Sequence, residues 1–417
     1  MRILHTSDWH LGQHFMGKTR LDEHQAFLRW LVAQVQVQAV DAVLVAGDVF
    51  DTGTPPSYAR ELYNDFIVEL QQTGAQLVIL GGNHDSVAML NESRSLLGCL
   101  NVQVIPGILT DIEQQVLVLN NAAGQPGAVL CAVPFIRARE VMSSESGQSA
   151  AAKQLSLQEA IASHYQQLFA RAEQLSQAHH ARHGQRLPII GTGHLTTVGA
   201  SSSDSVREIY IGTLDAFPAK AFPPFDYLAL GHIHRPQKVA SHEHMRYCGS
   251  PIALSFDEVG QQKQVLLVDL DEGGLGAITP LSVPIFQPLA RVKGNLAQLA
   301  IAMKAVAAEQ TNLDLTAGCQ AKNIWLEVTV AEDDYLSDLQ PRVEQLAEGL
   351  PLEILLVRRQ RSSQQASLSS DARITLSELS PLQVFERRMA VEELAPERQQ
   401  ALQALYEELL SERETNA

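Results

Sequence analysis

The sequence predicts an α/β layered protein, and three observations carry that prediction. Five times in the first 235 residues a short apolar run breaks into a loop rich in Gly, Asp, Asn or His. The runs are Ile3-Leu4, Ala42-Val43-Leu44-Val45-Ala46, Leu77-Val78-Ile79-Leu80, Ile189-Ile190 and Tyr227-Leu228-Ala229-Leu230. Near-continuous apolar runs of this length read as strands buried on both faces. Between the first three lie helical patterns: Phe27, Leu31 and Val35 recur every four residues, and Leu62, Phe66 and Leu70 follow a start at Pro55-Pro56-Ser57. Alternating strands and helices place helices against a sheet.

Length and composition bound the rest. A chain of 417 residues has room for two or three domains with proper cores. It is 45% hydrophobic and 19% charged, as ordinary globular proteins are. Met1-Arg2-Ile3-Leu4-His5-Thr6 enters strand-like sequence without a signal peptide's apolar core, and no apolar stretch approaches the roughly 20 residues that span a bilayer. Cys99, Cys131, Cys248 and Cys319 are far apart and form no C-x-x-C pair. These features lead us to expect a cytoplasmic protein without membrane contact. The net charge of −16 argues against nucleic-acid binding by the whole surface, while leaving room for a local basic groove, a metal-bridged phosphate or a basic partner.

Taken in order, residues 1–284 form the first expected domain. Within it, residues 143–186 stand apart: a Ser- and Gln-rich start leads into an amphipathic helix with Ile161, Tyr165, Leu168, Ala172 and Leu175 on one face, closed by "AHHARHGQR". Strand patterns from Val265 to Val283 finish the domain. Residues 285–360 read as a small α+β cap of split β-α-β type. It comprises strand "LARVKG", a helix over Asn295–Gln310 with Asn295 as N-cap, strand Ile324–Val330, a helix over Tyr335–Leu350, and strand Leu352–Arg358. Residues 361–373, within "RSSQQASLSSDAR", have a flexible linker's composition. Residues 374–417 form a helix-loop-helix tail. Ser380-Pro381-Leu382-Gln383 fits a capping box, and Pro396 opens a helix with Leu402, Leu405, Tyr406, Leu409 and Leu410 on one stripe. Helices too small to bury their own apolar faces are expected to dock on a partner.

At the ends of the five runs lie Asp8-Trp9-His10, Gly47-Asp48-Val49-Phe50-Asp51, Gly82-Asn83-His84-Asp85, Gly193-His194 and Gly231-His232-Ile233-His234. Alone, Asp8-x-His10 reads equally as a surface ion pair or a turn cap. Together, five loops at strand ends converge on one crevice, and a spacing of two puts both side chains of a pair on one side of an extended segment. Carboxylate, amide oxygen and imidazole suit borderline divalent ions such as manganese, iron or zinc. Two such ions would clamp a phosphoryl group and activate water. His5, His14, His24, His164, His179, His180, His183, His242 and His244 lie off the ligand positions and are expected to pack or face solvent. Trp9 is expected to point away from the crevice.

With these motifs in place, the chain resembles the calcineurin-like metallophosphoesterase family, in its double-strand-break repair nuclease branch. "MRILHTSDWHLGQ", "VDAVLVAGDVFDTGTPPSYAR", "GGNHDS", "TGHLTTVGASSSD" and "ALGHIHRPQ" carry the resemblance, which extends through "TLSELSPLQVFERRMAVEEL". The resemblance implies a two-sheet β-sandwich flanked by helices around two divalent metal ions, manganese foremost. Asp8, His10 and His234 would bind the first, Asn83, His194 and His232 the second, and Asp48 both. His84 would be the catalytic histidine facing the scissile phosphate. Archaeal and eukaryotic relatives have a second catalytic histidine where this chain has Asp51, so Asp51 is expected at most to orient a ligand or water, and Asp85 to hold its loop. The implied activity is double-strand exonuclease, 3'-to-5', and single-strand or hairpin endonuclease in recombination, replication and repair. The implied partners are DNA, an ATPase with long coiled coils docked on the tail, and a second copy within a heterotetramer. The competing readings are a small-molecule phosphodiesterase or phosphatase of the same fold, which needs neither cap nor tail, and an inactive scaffold, which usually lacks several ligands.

Overall fold

The computed structural model describes residues 1–142, 150–198, 216–310, 323–331 and 339–360. The expected linker and tail helices, the start of the 143–186 segment and the first turn of the second cap helix lie outside the described residues. In chain order the elements begin with β1 (Arg2–Thr6), a hairpin of β2 (His14–Phe15) and β3 (Lys18–Thr19), α1 (Leu21–Val37), β4 (Ala42–Ala46), α2 (Ser57–Gln71) and β5 (Gln76–Leu80). Next come α3 (Val87–Glu92), α4 (Arg94–Gly98), β6 (Val102–Ile105), β7 (Val116–Asn120), β8 (Pro126–Cys131), α5 (Ala138–Val141), α6 (Ala150–His183) and β9 (Ile189–His194). Then follow β10 (Tyr227–Gly231), β11 (Gln237–Val239), β12 (His242–Tyr247), β13 (Gln264–Asp271) and β14 (Gly274–Ser282). The last are β15 (Leu289–Gly294), α7 (Leu296–Gln310), β16 (Ile324–Val330), α8 (Leu339–Ala347) and β17 (Leu352–Arg359).

The five apolar runs belong to two sheets. One six-stranded sheet has the order β14-β13-β1-β4-β5-β6, in which β1, β4, β5 and β6 are parallel, β13 is antiparallel to β1, and β14 is antiparallel to β13. The other has the order β11-β12-β10-β9-β8-β7, with β12, β10, β9 and β8 parallel and an antiparallel strand at each edge. Side chains alternate across a strand, and the core sorts accordingly. Leu4, Val43, Val45, Leu77 and Ile79 pack with Phe27, Leu31 and Phe66 of α1 and α2. Their neighbours Ile3, Ala42, Leu44, Val78 and Leu80 pack with Ala128, Leu130, Ile190, Tyr227 and Ala229 of the second sheet. That sheet's far face, Val129, Ile189, Leu228 and Leu230, packs with Ile161, Tyr165, Leu168 and Ala172 of α6. The result is four layers, helix–sheet–sheet–helix, and it explains why the runs are apolar on both faces. The polar "AHHARH" does not close α6 from outside; it forms the helix's last turns.

Two compact units are distinguished: Met1–Arg291 with Ala308–Leu326 and Pro351–Leu355, and Val292–Ala307 with Glu327–Leu350 and Leu356–Ala417. The division runs through β15, β16 and β17. These strands neighbour one another in chain order, so among the described residues no strand separates those that a helix joins, and the expected split arrangement gives way to a plain β-α-β-α-β succession. The Asn295 side chain accepts from Gln298 N–H and the Gln298 side chain from Asn295 N–H, each at 3.0 Å, a reciprocal cap for α7. In the second unit Leu299, Met303, Val328, Val330 and Val343 are buried.

Leu44 is fully buried between the two sheets. Leu44→Ala is expected to cost about 2–5 kcal/mol by lost transfer energy and residual cavity, read as a lower urea midpoint for unfolding.

Candidate metal centre

The crevice forms where both sheets release their parallel strands. Pairing of β1 with β4 continues past the strand ends: Asp8 N–H donates to Gly47 O at 3.0 Å, His10 N–H to Asp48 O at 3.1 Å and Leu11 N–H to Val49 O at 2.9 Å. Asp8, His10, Asp48 and His232 sit at φ 54°, 48°, 50° and 93°. Each such left-handed non-glycine residue costs on the order of 1–3 kcal/mol and persists only where surroundings impose it. Two glycines make the close approach possible. At Gly47 (φ +91°) a Cβ would overlap the His194 ring, and at Gly82 one would strike the Asp48 carboxylate and backbone N.

The side chains the sequence singled out do come together. Asp8, His10 and His234 form one cluster of ligand-type atoms, Asp48, His194 and His232 another, and His10, Asp48 and His84 a third between them, the atoms of each lying within 4.8 Å of one another. Asp48 Oδ2 lies 3.1 Å from His194 Nε2 and 3.7 Å from His10 Nε2. Asn83 Oδ1 stands 2.9 Å from both His194 Nε2 and His232 Nδ1. His232 N–H donates to Asp8 Oδ1 at 3.0 Å, tying a loop of the second sheet to one of the first. His84 is anchored at two points: its backbone N–H donates to Asp48 Oδ1 at 2.9 Å and its Nδ1–H to Asp51 O at 2.7 Å. The Asp51 carboxylate lies 3.2 Å from His10 Nδ1. Asp85 accepts from the N–H groups of Val49, Phe50 and Gly82 at 3.1, 3.0 and 2.8 Å, knitting two loops together. Burial and the Asp48 charge push its carboxyl up to about 6, against the pull of those three donors.

These donors fit divalent cations. His10 Nε2 is buried without a hydrogen-bond partner, and the converging atoms are oxygens and imidazole nitrogens, the set that borderline divalent ions take. Of the remaining histidines, His5 is buried between the sheets with Nδ1 2.8 Å from Tyr227 Oη, His24 is buried on α1 near enough to feel the charges of His10 and Asp51, and His14 is exposed on β2. Trp9 turns away from the crevice, edge-on to Phe27 and Phe66. Sequence reasoning missed Glu258, whose Oε1 lies 3.2 Å from His234 Nδ1, and Lys263, 2.5 Å from Glu258 Oε2. Burial opposes the Glu258 charge, but His234 and Lys263 overcome it and hold the carboxyl well below the usual carboxylate range. In "SFDEVGQQK" such residues read as a polar turn.

Comparison with known proteins agrees with this geometry. A family model described as calcineurin-like phosphoesterase matches residues 1–236, and one described as the type 5 capsule protein repressor C-terminal domain matches residues 285–393. The SbcD subunit of the SbcCD nuclease of Escherichia coli K12 is 53% identical, with 97% of each chain covered. The proteins of that name from Rhodobacter capsulatus and Bacillus subtilis are each 32% identical, over 85% and 66% of this chain and 86% and 67% of their own.

The His194 ring defines the charge of the metal-free crevice. Its Nδ1–H donates to Ala46 O at 2.8 Å, so Nε2, facing Asp48 and Asn83 oxygens, carries a proton when no metal is there. Burial works against the imidazolium, but the Asp48 charge and hydrogen bond lift it to about 9; burial likewise opposes the Asp48 charge, and His194 holds that carboxyl well below its ordinary range. A metal must displace the His194 proton. Divalent-metal affinity is therefore expected to rise at least about tenfold per pH unit from neutrality, since His10 is also held above its ordinary value, and to flatten near pH 9. Calorimetric titrations in buffers of different ionisation enthalpy count the released proton.

Proposed function

The chain belongs to the calcineurin-like phosphoesterase family, among the SbcD subunits of SbcCD nucleases, and we propose that it is a metal-dependent DNA phosphodiesterase working with an SbcC-like coiled-coil ATPase. The observation that carries this reading is the pair of ligand clusters joined at Asp48 with His84 anchored beside them. Asp8, His10 and His234 would hold one divalent ion, Asn83, His194 and His232 the other, and Asp48 would serve both, with Mn2+ the ion proposed. When bound, the ions supply Lewis-acid activation of the attacking water and of the phosphoryl oxygens.

The chain's own residues do the rest. Asp51 O fixes the His84 Nδ1–H, which leaves Nε2 as the ring atom to meet the scissile phosphate; the imidazolium, with a second proton on Nε2, would give that proton to the leaving oxygen. Asp51 and Asp85 hold the ligand loops. The substrates are duplex ends, degraded 3'-to-5', and single strands or hairpins cut internally, in recombination, replication and repair. Residues 1–284 form the nuclease domain, 285–360 a cap that presents DNA, 361–373 a linker, and 374–417 a helical tail docking on the ATPase. The match that begins at residue 285 supports that boundary. Two copies pair within a heterotetramer in the cytoplasm; the ATPase and cap share in holding DNA, which accommodates a net charge of −16. A small-molecule esterase would leave the cap and tail without a task.

Manganese-dependent cleavage of linear and hairpin DNA is the direct test; hydrolysis of a bis-aryl phosphate with DNA left intact would overturn the assignment. His84→Ala is expected to lower DNA cleavage roughly 10²–10⁴-fold while metal content persists. Truncation near residue 365 is expected to abolish co-purification with the ATPase and spare cleavage of short DNA.

A further inference from the structure

We propose that Glu258 is a positioning residue for the first metal: its carboxylate takes the Nδ1–H of His234 and so presents the Nε2 lone pair toward Asp8 and His10. This rests on the two-ion reading above. A neutral imidazole carries its one proton on either nitrogen, and the hydrogen bond made by one nitrogen decides which atom is free to ligate. His234 and Glu258 are both almost wholly buried, with Oε1 3.2 Å from Nδ1, so Glu258, and not exchanging water, stands behind the ring.

The carboxylate is itself fixed. Its Oε2 accepts from Lys263 Nζ at 2.5 Å, from Leu254 N–H at 3.0 Å and from Ser250 Oγ at 3.4 Å, which leaves Oε1 to His234. Lys263 also donates to the His234 carbonyl at 3.2 Å and to Ser250 Oγ at 2.9 Å, so one ammonium holds both the residue and the group that orients it. Lys263 directly precedes β13, the strand paired with β1 whose end carries Asp8. The network thus sets His234 relative to Asp8. The two clusters differ in this respect. Behind His10 stands the Asp51 carboxylate and behind His234 that of Glu258, whereas among the described residues His194 Nδ1 meets the neutral carbonyl of Ala46. Anionic backing makes a histidine a stronger ligand, and its removal typically weakens metal binding about 10–100-fold.

The test is Mn2+ binding to the purified full chain by equilibrium dialysis, with electron paramagnetic resonance to distinguish a coupled ion pair from an isolated ion. Wild type is expected to bind two ions with a coupled signal. Glu258→Gln is expected to weaken one ion roughly 10–100-fold and leave the other within threefold, giving an isolated-ion signal where wild type is paired. The retained ion shows that the variant is folded. Should Glu258→Gln not fold, Glu258→Gln/Lys263→Met removes the ion pair as a unit, a change that buried pairs tolerate, and the same selective loss is expected. Two ions bound with wild-type affinities by the folded variant would overturn the role of Glu258. A wild-type chain that binds fewer than two ions would instead overturn the two-ion reading.

Discussion

One buried carboxylate organises the crevice. Asp48 leaves the end of β4 in the first sheet, receives the backbone N–H of His84 from the loop after β5, and faces His194 at the end of β9 in the second. Three strand ends from two sheets therefore meet at one residue. An isolated charge buried there would be expensive; Asp48 is tolerated because the His194 ring, which it favours in the charged form, stands opposite it. Gly82 has to be a glycine because the carboxylate occupies the volume a side chain would need.

Backbone strain is concentrated in the same place. Asp8, His10, Asp48 and His232 hold left-handed conformations, and each is a residue whose side chain must turn back into the crevice where a strand would have carried it on. Hydrogen bonds from Asp8 and His10 to the 47–49 backbone, and from His232 N–H to the Asp8 carboxylate, hold these conformations in place. The layered core supplies the rigidity, since every strand that ends at the crevice is packed on both faces.

Much of this was legible in the sequence because it is encoded locally. A strand buried on both faces must be a short apolar run, and ligands placed just past its end must sit in Gly-rich loops; Ala42–Ala46 followed by Gly47-Asp48 shows both within seven residues. The allocation of runs to sheets was not legible from the residues themselves. Ile189-Ile190 and Val78-Ile79 look alike, yet pairing across long sequence separations sends them to different sheets; the resemblance to a known family supplied the two-sheet arrangement. Strand β12, second from the sheet's edge, carries two histidines, a glutamate and an arginine in six residues, and shows no apolar run. Glu258 escaped notice for a related reason: Ser250 and Lys263 are close in sequence, but only the fold turns this polar stretch onto itself and against His234.

The position of β1 also governs when the crevice can exist. The strand that delivers Asp8 and His10 is made before both its neighbours, β4 and β13, and is not enclosed until residues 264–271 have been synthesised. His232 and His234 likewise come from the second half of the nuclease region. A growing chain on the ribosome therefore exposes half of the ligand set long before the other half is made, and assembles no complete centre until most of the first unit has emerged. For an enzyme that would cut DNA, late assembly is a safeguard written into strand order: incomplete chains and early fragments carry the motifs without the reactive geometry.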